Sequence, residues 1–136
     1  MEHNILPSVH PDPWVDILRA YTGATVTTLA RHGLTIHRSW LDPQDPRDAT
    51  IVYTPDGGKL RALVWDEVAG WRDGAFVSGR QGVRTELDSA VHLCGKLLPT
   101  GGELAWSLRT GVTAPAKAHR SYGDTHDGLD DRLRQV

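Results

Sequence analysis

Between Lys59 and Thr85 the chain reads KLRALVWDEVAGWRDGAFVSGRQGVRT, and the residues best suited to recognition chemistry lie there. Ser78-Gly79-Arg80-Gln81-Gly82-Val83-Arg84-Thr85 sets two arginines in a segment broken by glycines. Glycines let backbone amides turn toward an anion, and guanidinium forks take phosphate or carboxylate in bidentate fashion. The spacing is neither that of a P-loop nor that of a dinucleotide fingerprint. The plainer reading is a bulged turn whose arginines pair with acidic neighbours such as Asp66 and Glu67. The second candidate is Trp65 beside Arg61 and Arg72, because an aromatic ring among arginines can stack a planar ligand. Its plainer counterpart is a tryptophan covered by helices, with arginines snorkelling around it. The expected ligand- or partner-binding set is Trp65, Trp71, Arg72, Arg80, Gln81 and Arg84.

Metal and acid–base chemistry have thinner support. His92-x-Cys94 puts two ligand types on one side of an extended strand, and His32 and His37 lie earlier, but zinc needs at least three converging ligands. Asp42, Asp45 and Asp48 lack the alternating layout of a calcium loop, and aspartates beside prolines usually cap turns. No metal and no cofactor is expected. Asp66-Glu67 could act as general acid or base with His37 or His92 as proton shuttle, yet acidic residues are common where a tight turn opens. Cys94 has no basic neighbour to lower its pKa and reads as a small buried hydrophobe.

The elements that must carry these residues follow from pattern. Asp12-Pro13 suits a helix start, and Trp14, Ile17, Leu18 and Tyr21 recur at helical spacing. Gly23 and the β-branched run Thr25 to Thr28 weaken the continuation to Gly33, giving one helix with a soft point near Gly23 or two short ones. Strands are expected over Leu34–Leu41, Ala49–Thr54, Leu60–Asp66 and Trp71–Ser78, with Glu86–Leu98 ambiguous. A four-residue loop Glu67–Gly70 would pair Trp65 with Arg72 and Val64 with Asp73. That register puts Leu60, Ala62, Val64, Trp71, Ala75 and Val77 on the core face, and Arg61, Leu63, Trp65, Arg72 and Phe76 on the other. Thr100-x-x-Glu103 is a capping box, so a helix should run from about Gly101 to Arg109, ending at Gly111.

The fold class expected is α+β: an antiparallel meander of four to five strands, an N-terminal helical segment and a C-terminal helix. Residues 1–111 would form one domain and residues 112–136 a polar, mobile tail. A chain of 136 residues is a one-domain length, and 39% hydrophobic with 24% charged is ordinary for a globular protein. A net charge of −2 argues against a general nucleic-acid binder. The single Cys94 excludes an intramolecular disulfide and fits a reducing interior, and no stretch is apolar enough to span a bilayer or resembles a signal peptide, so a cytoplasmic location is expected.

Asp45-Pro-Arg-Asp-Ala-Thr-Ile-Val52, Leu63-Val-Trp-Asp-Glu67, Gly70-Trp-Arg72 and Phe76 to Thr85 carry a resemblance. Over about Pro13 to Leu108 the chain resembles a family of small actinobacterial proteins classed as a domain of unknown function, with the Trp-Asp-Glu…Gly-Trp spacing the most specific part. Cys94-Gly95-Lys96 before Leu97-Leu98-Pro99 departs from the glycine triplet carried there by that family. The resemblance implies a complete single domain in an actinobacterial cytoplasm and no particular activity, ligand or cofactor. The function expected is non-catalytic binding, as an accessory or regulatory protein engaging a protein partner or an anionic small molecule, with a homodimer possible. The alternatives are a nucleic-acid binder, in which Arg61, Arg72, Arg80 and Arg84 would form one basic stripe, and a small cofactor-free enzyme with a His/Asp acid–base site.

Overall fold

A computed structural model describes residues 5–43, 46–120 and 127–136. Asp12 caps the first helix through its side chain, which accepts from the Trp14 amide, and Pro13 takes the first helical position, giving α1 (Pro13–Asp16). The helical segment breaks at Ile17–Leu18, where the Leu18 amide bonds the Val15 carbonyl, and resumes as α2 (Arg19–Arg31). Gly23 therefore sits inside a helix, not at a break. Burial outweighs the weak propensity of the β-branched run: Thr25 and Val26 pack inward, and the Thr25 hydroxyl donates back to the Tyr21 carbonyl at 2.9 Å.

Five strands follow: β1 (Thr35–Asp42), β2 (Asp48–Thr54), β3 (Arg61–Asp66), β4 (Gly70–Arg80) and β5 (Val83–His92). They form one antiparallel sheet in the order β1-β2-β3-β4-β5, the expected meander. The ambiguous Glu86–Leu98 stretch is largely the last of these strands, as far as His92. Then come α3 (Gly101–Thr110), started by the expected capping box between Thr100 and Glu103, and α4 (Leu129–Arg134). Among the described residues no helix is long and apolar enough to cross a membrane.

The β3–β4 register corrects the expected one. Gly70 takes φ +76°, a left-handed conformation that glycine adopts without a Cβ clash, and pairs directly with Asp66. Trp65 then faces Trp71, and Val64 faces Arg72, one residue away from the expected pairing. Because side chains alternate along a strand, that single step sends Trp65 and Trp71 to the same face. Both lie in the main core with Leu41, Ala49, Ile51, Tyr53 and Leu63, beneath Val15, Leu18, Tyr21, Val26 and Leu29 of the N-terminal helices and Leu104 of α3. Their polar tips are satisfied: Trp65 Nε1 donates to the Leu97 carbonyl at 2.7 Å and Trp71 Nε1 to the Tyr21 hydroxyl at 3.0 Å. The Tyr21 hydroxyl in turn donates to the Pro99 carbonyl at 2.6 Å.

The opposite face is covered by the sheet itself. Beyond Gly74 the β4–β5 hairpin departs from regular register at three places and curls over, packing Phe76 and Leu87 on Trp40, Val52 and Ala62. The Thr85 hydroxyl meets the Thr50 hydroxyl at 2.7 Å. Gly74 permits this close approach, since a Cβ there would lie 2.9 Å from the Asp88 carbonyl oxygen. The segment expected to be a loop, Ser78 to Thr85, is the tip of this hairpin, with Gln81-Gly82 as its turn.

The boundary expected at residue 111 does not separate a tail from the core. Leu129 and Leu133 of α4 are 1% and 0% exposed within the main core. An ionic network fastens the same end. Arg47, 2% exposed, donates from Nε and Nη2 to both oxygens of Glu67 (3.0 Å each) and from Nη2 to Asp130 at 2.8 Å, with Trp14 stacked on its guanidinium. Arg120 donates to Glu67 at 2.8 Å and pairs with Asp127.

Two stability predictions follow from this packing. Gly74→Ala, read by urea denaturation, should cost about 1–3 kcal/mol because the β5 backbone must move away. Arg47→Ala should cost about 3 kcal/mol or more, since it strands a buried Glu67 with one partner fewer. Cleavage near the C-terminus by a dilute protease should rise in the same variant, and unchanged cleavage would mean that the network does not hold α4.

Candidate functional site

Two adjacent cross-strand rows on the hairpin-covered face bring together groups far apart in sequence. One row runs Trp40–Thr50–Val64–Arg72–His92 across all five strands. The next runs Asp42–Asp48–Asp66–Gly70 across four. Directly opposed residues lie on one side of a sheet, so three carboxylates, a guanidinium, an imidazole and an indole share a small area. The carboxylates are 1% (Asp42), 1% (Asp48) and 7% (Asp66) exposed.

Polar groups on the helix-covered face are paired; several on this face are not. Asp66 Oδ1 accepts from the Val68 and Ala69 amides at 2.8 and 2.7 Å, closing the turn after β3. Both carboxylate oxygens of Asp48, Trp40 Nε1, Arg72 Nε and His92 Nδ1 are buried with no hydrogen-bond partner among the described residues. A buried polar atom without a partner costs about 1–3 kcal/mol, so four such side chains in two rows are an expensive arrangement for structure alone.

Burial raises the pKa of the Asp48 carboxyl to about 7, and the neighbouring Asp42 carboxylate pushes the same way. Arg84 and Arg72 oppose the shift without cancelling it. Near neutral pH Asp48 thus exists partly as a neutral carboxylic acid, which donates a hydrogen bond. His119 lies by Asp66 and His92, its amide bonded to the Val68 carbonyl at 2.7 Å, and its pKa is lowered by burial first and then by Lys117. The orphaned set is consequently rich in donors: an indole N–H, a guanidinium Nε–H and a carboxylic O–H, with the His92 imidazole able to serve either way.

Of the six residues expected to bind, Arg72 and Arg84 are the two whose charges act on Asp48. Arg80 and Gln81 are exposed at the hairpin tip. Trp65 and Trp71 are 1% and 0% exposed in the opposite core and present no surface. The four-arginine stripe does not assemble, because Arg61 is held by Asp73 on the helix-covered side of the sheet, away from Arg72. His37 contacts Thr54. Cys94 is half-buried at φ +70°, its thiol 3.3 Å from the Ser107 hydroxyl and its pKa raised by burial. Asp45 lies outside the described residues. Among the described residues no three His, Cys, Asp or Glu side chains are placed to hold a metal ion. Sequence reasoning passed over Trp40 and treated Asp48 as a turn residue; only the strand register shows that Asp48 stands between two other carboxylates.

The titration of Asp48 gives a signed prediction. Between pH 3.8 and about 7 the folded state holds a proton that the unfolded chain has released. The stability contributed by this group therefore falls as pH rises through that window and levels off above it, by about 4 kcal/mol in all. His119 works in the opposite sense, losing stability on acidification through the ordinary histidine range. Urea midpoints at pH 5.5 and pH 8 should show Asp48→Asn losing less stability on alkalinisation than the wild type. Equal losses would place Asp48 in an ordinary environment. Comparison with models of protein families, with curated proteins and with solved structures gives no match to this chain.

Proposed function

We propose that this is a non-catalytic, cytoplasmic binding protein that takes a small anionic ligand, a carboxylate or a phosphate, beneath the curled β4–β5 hairpin. The observation that carries this reading is Arg72: among the described residues its Nε is buried on the covered face with no acceptor, and it makes no ion pair. A guanidinium prefers an anion in bidentate geometry, and Arg84 supplies a second positive charge from the hairpin. Trp40 Nε1 and protonated Asp48 add neutral donors beside these two charges. Binding an anion beside Asp48 favours its protonated form, so proton uptake accompanies binding and affinity falls as pH rises above about 7. The unpaired Cys94 is in keeping with a reducing compartment.

The same carboxyl supports one second reading. A carboxylic acid titrating near neutrality is suited to general acid–base catalysis, which would make this cluster a small active site.

Calorimetric titration with inorganic phosphate and with succinate, each at two salt concentrations, tests the first reading. One of them should bind the wild type saturably and release heat that varies with buffer ionisation enthalpy, the sign of proton uptake. Arg72→Gln should weaken that binding by about tenfold or more, as expected for a lost charged hydrogen bond. No binding by either anion, or equal binding by Arg72→Gln, would refute the assignment.

A further inference from the structure

The helix-covered side of the sheet holds a pocket of about 510 Å³ whose lining includes none of the Asp48 cluster. It opens between the end of α2, the last turn of α3 and the turn after β2, with Leu34, Pro55, Ala105 and Leu108 as apolar wall. Its polar side is a fixed chain of three groups. The Tyr53 hydroxyl donates to Asp73 Oδ1 at 2.6 Å, and Arg61 donates from Nε and Nη2 to Asp73 Oδ2 at 3.2 and 2.9 Å. Tyr53 is 2% exposed and its pKa is raised by burial and then by Asp73, so it remains a neutral donor that holds Asp73 in place.

Donor counting identifies what this pocket can take. Asp73 has both oxygens engaged by Tyr53 and Arg61, so it is already matched and is not free to anchor a cationic ligand. Arg61 uses only its Nε and Nη2 edge on Asp73, and its side chain is 34% exposed. Its Nη1 end has no partner among the described residues, and a guanidinium can serve one carboxylate side-on and a second one end-on. Asp73 offsets the charge of Arg61, and Arg109, which lines the same pocket, adds a second guanidinium at its rim. Asp56 opposes Arg109, and because both are exposed solvent screens them alike, so the choice of a carboxylate rests on the open Nη1 end of Arg61. The apolar wall requires that the remainder of the ligand be hydrocarbon.

We infer that this pocket binds a small monocarboxylate with an apolar body, its carboxylate received by Arg61 and Arg109 and its chain lying against Leu34, Ala105 and Leu108. The pocket is within the size range of small-molecule sites and combines a mainly apolar lining with a few fixed polar groups. Asp73 and Tyr53 act as positioning residues, because they set the plane of the guanidinium rather than meet the ligand.

The probes are octanoate and 1-octanol, titrated calorimetrically into the full chain at pH 7. Octanoate should bind saturably and 1-octanol about tenfold more weakly or not at all, since the alcohol cannot use the fork. Arg61→Lys keeps the charge opposite Asp73 but removes the fork, and should weaken octanoate by about tenfold. Arg109→Gln changes an exposed side chain, leaves the fold intact and should weaken octanoate by about threefold or more at low salt. Arg72→Gln, on the opposite face, should leave octanoate binding unchanged. Equal binding of alcohol and acid, indifference to both Arg61→Lys and Arg109→Gln, or loss of binding in Arg72→Gln would each overturn the inference, the last by moving the site to the hairpin-covered face. Absence of octanoate binding to the wild type would overturn it outright.

Discussion

Gly70 at φ +76° closes the β3–β4 turn so that Asp66 pairs with Gly70, Trp65 with Trp71 and Val64 with Arg72. A strand has two sides and a side-chain period of two, so this register assigns every residue of the central hairpin to a face at one stroke. Trp65 and Trp71 go to the helices, where large rings with polar tips find both volume and acceptors: the Leu97 carbonyl for one, and the Tyr21 hydroxyl for the other. Arg72 goes to the opposite side, opposite His92 and one row from Asp48. A slip of one residue would bury a guanidinium among leucines and expose a tryptophan, an exchange costing far more than one turn conformation returns.

The two faces solve burial differently. On the helix-covered face hydrocarbon dominates, and its buried polar groups are matched: Arg47 with Glu67 and Asp130, Tyr53 with Asp73, the two indoles with oxygen acceptors. On the other face the sheet has no helix over it. The chain covers it by bending its last hairpin back at Gly74, which brings Phe76, Leu87 and Thr85 over Trp40, Val52, Ala62 and Thr50. A hairpin is a narrower lid than a helical layer. It excludes water from Asp48 without supplying that carboxyl a partner, and the same cover leaves Trp40, Arg72 and His92 with unused hydrogen-bonding capacity. Buried polar groups that the fold leaves unmatched, while matching those on the other face, are where a ligand has most to contribute.

Charge is distributed with the same division of labour. The Arg47–Glu67–Arg120 network is buried, multiply hydrogen-bonded and attached to α4, so its role is to hold the C-terminal helix on the core. Arg61 and Asp73 are likewise bound to each other, but one end of the Arg61 guanidinium remains available to the neighbouring pocket. Arg72 has no such partner among the described residues, although Arg47, Arg61 and Arg72 all belong to sheet strands or to the loop between two of them. A hydrogen-bonded carboxylate partner, rather than residue type, separates a structural arginine from a recognition arginine here.

The class of the fold was legible from local pattern. Asp12-Pro13, the Thr100–Glu103 capping box, Gly111 and the alternation in four strands are signals carried by a few adjacent residues, and the elements they announce are present. Arg72 and Arg84 could be singled out because arginine chemistry is intrinsic to the side chain. What the sequence could not decide was orientation. Whether the β3–β4 turn closes on Gly70 or beyond it depends on which register buries more hydrocarbon, and that sum includes Tyr21, Leu97 and Leu104 from distant parts of the chain. Trp40 drew no attention and Asp48 read as a turn residue beside Pro46; their environment is made by strands reaching as far along the chain as His92 and by a hairpin folding back. The polar C-terminal residues likewise gave no sign of docking, since Leu129 and Leu133 are only two apolar residues until Arg47 and Glu67 provide the charges that pin α4. Residue types and short-range spacing determined the elements and the available chemistry, because those are properties of neighbouring residues. Burial, pairing and acidity were decided by tertiary structure alone, because each depends on what the rest of the chain places opposite.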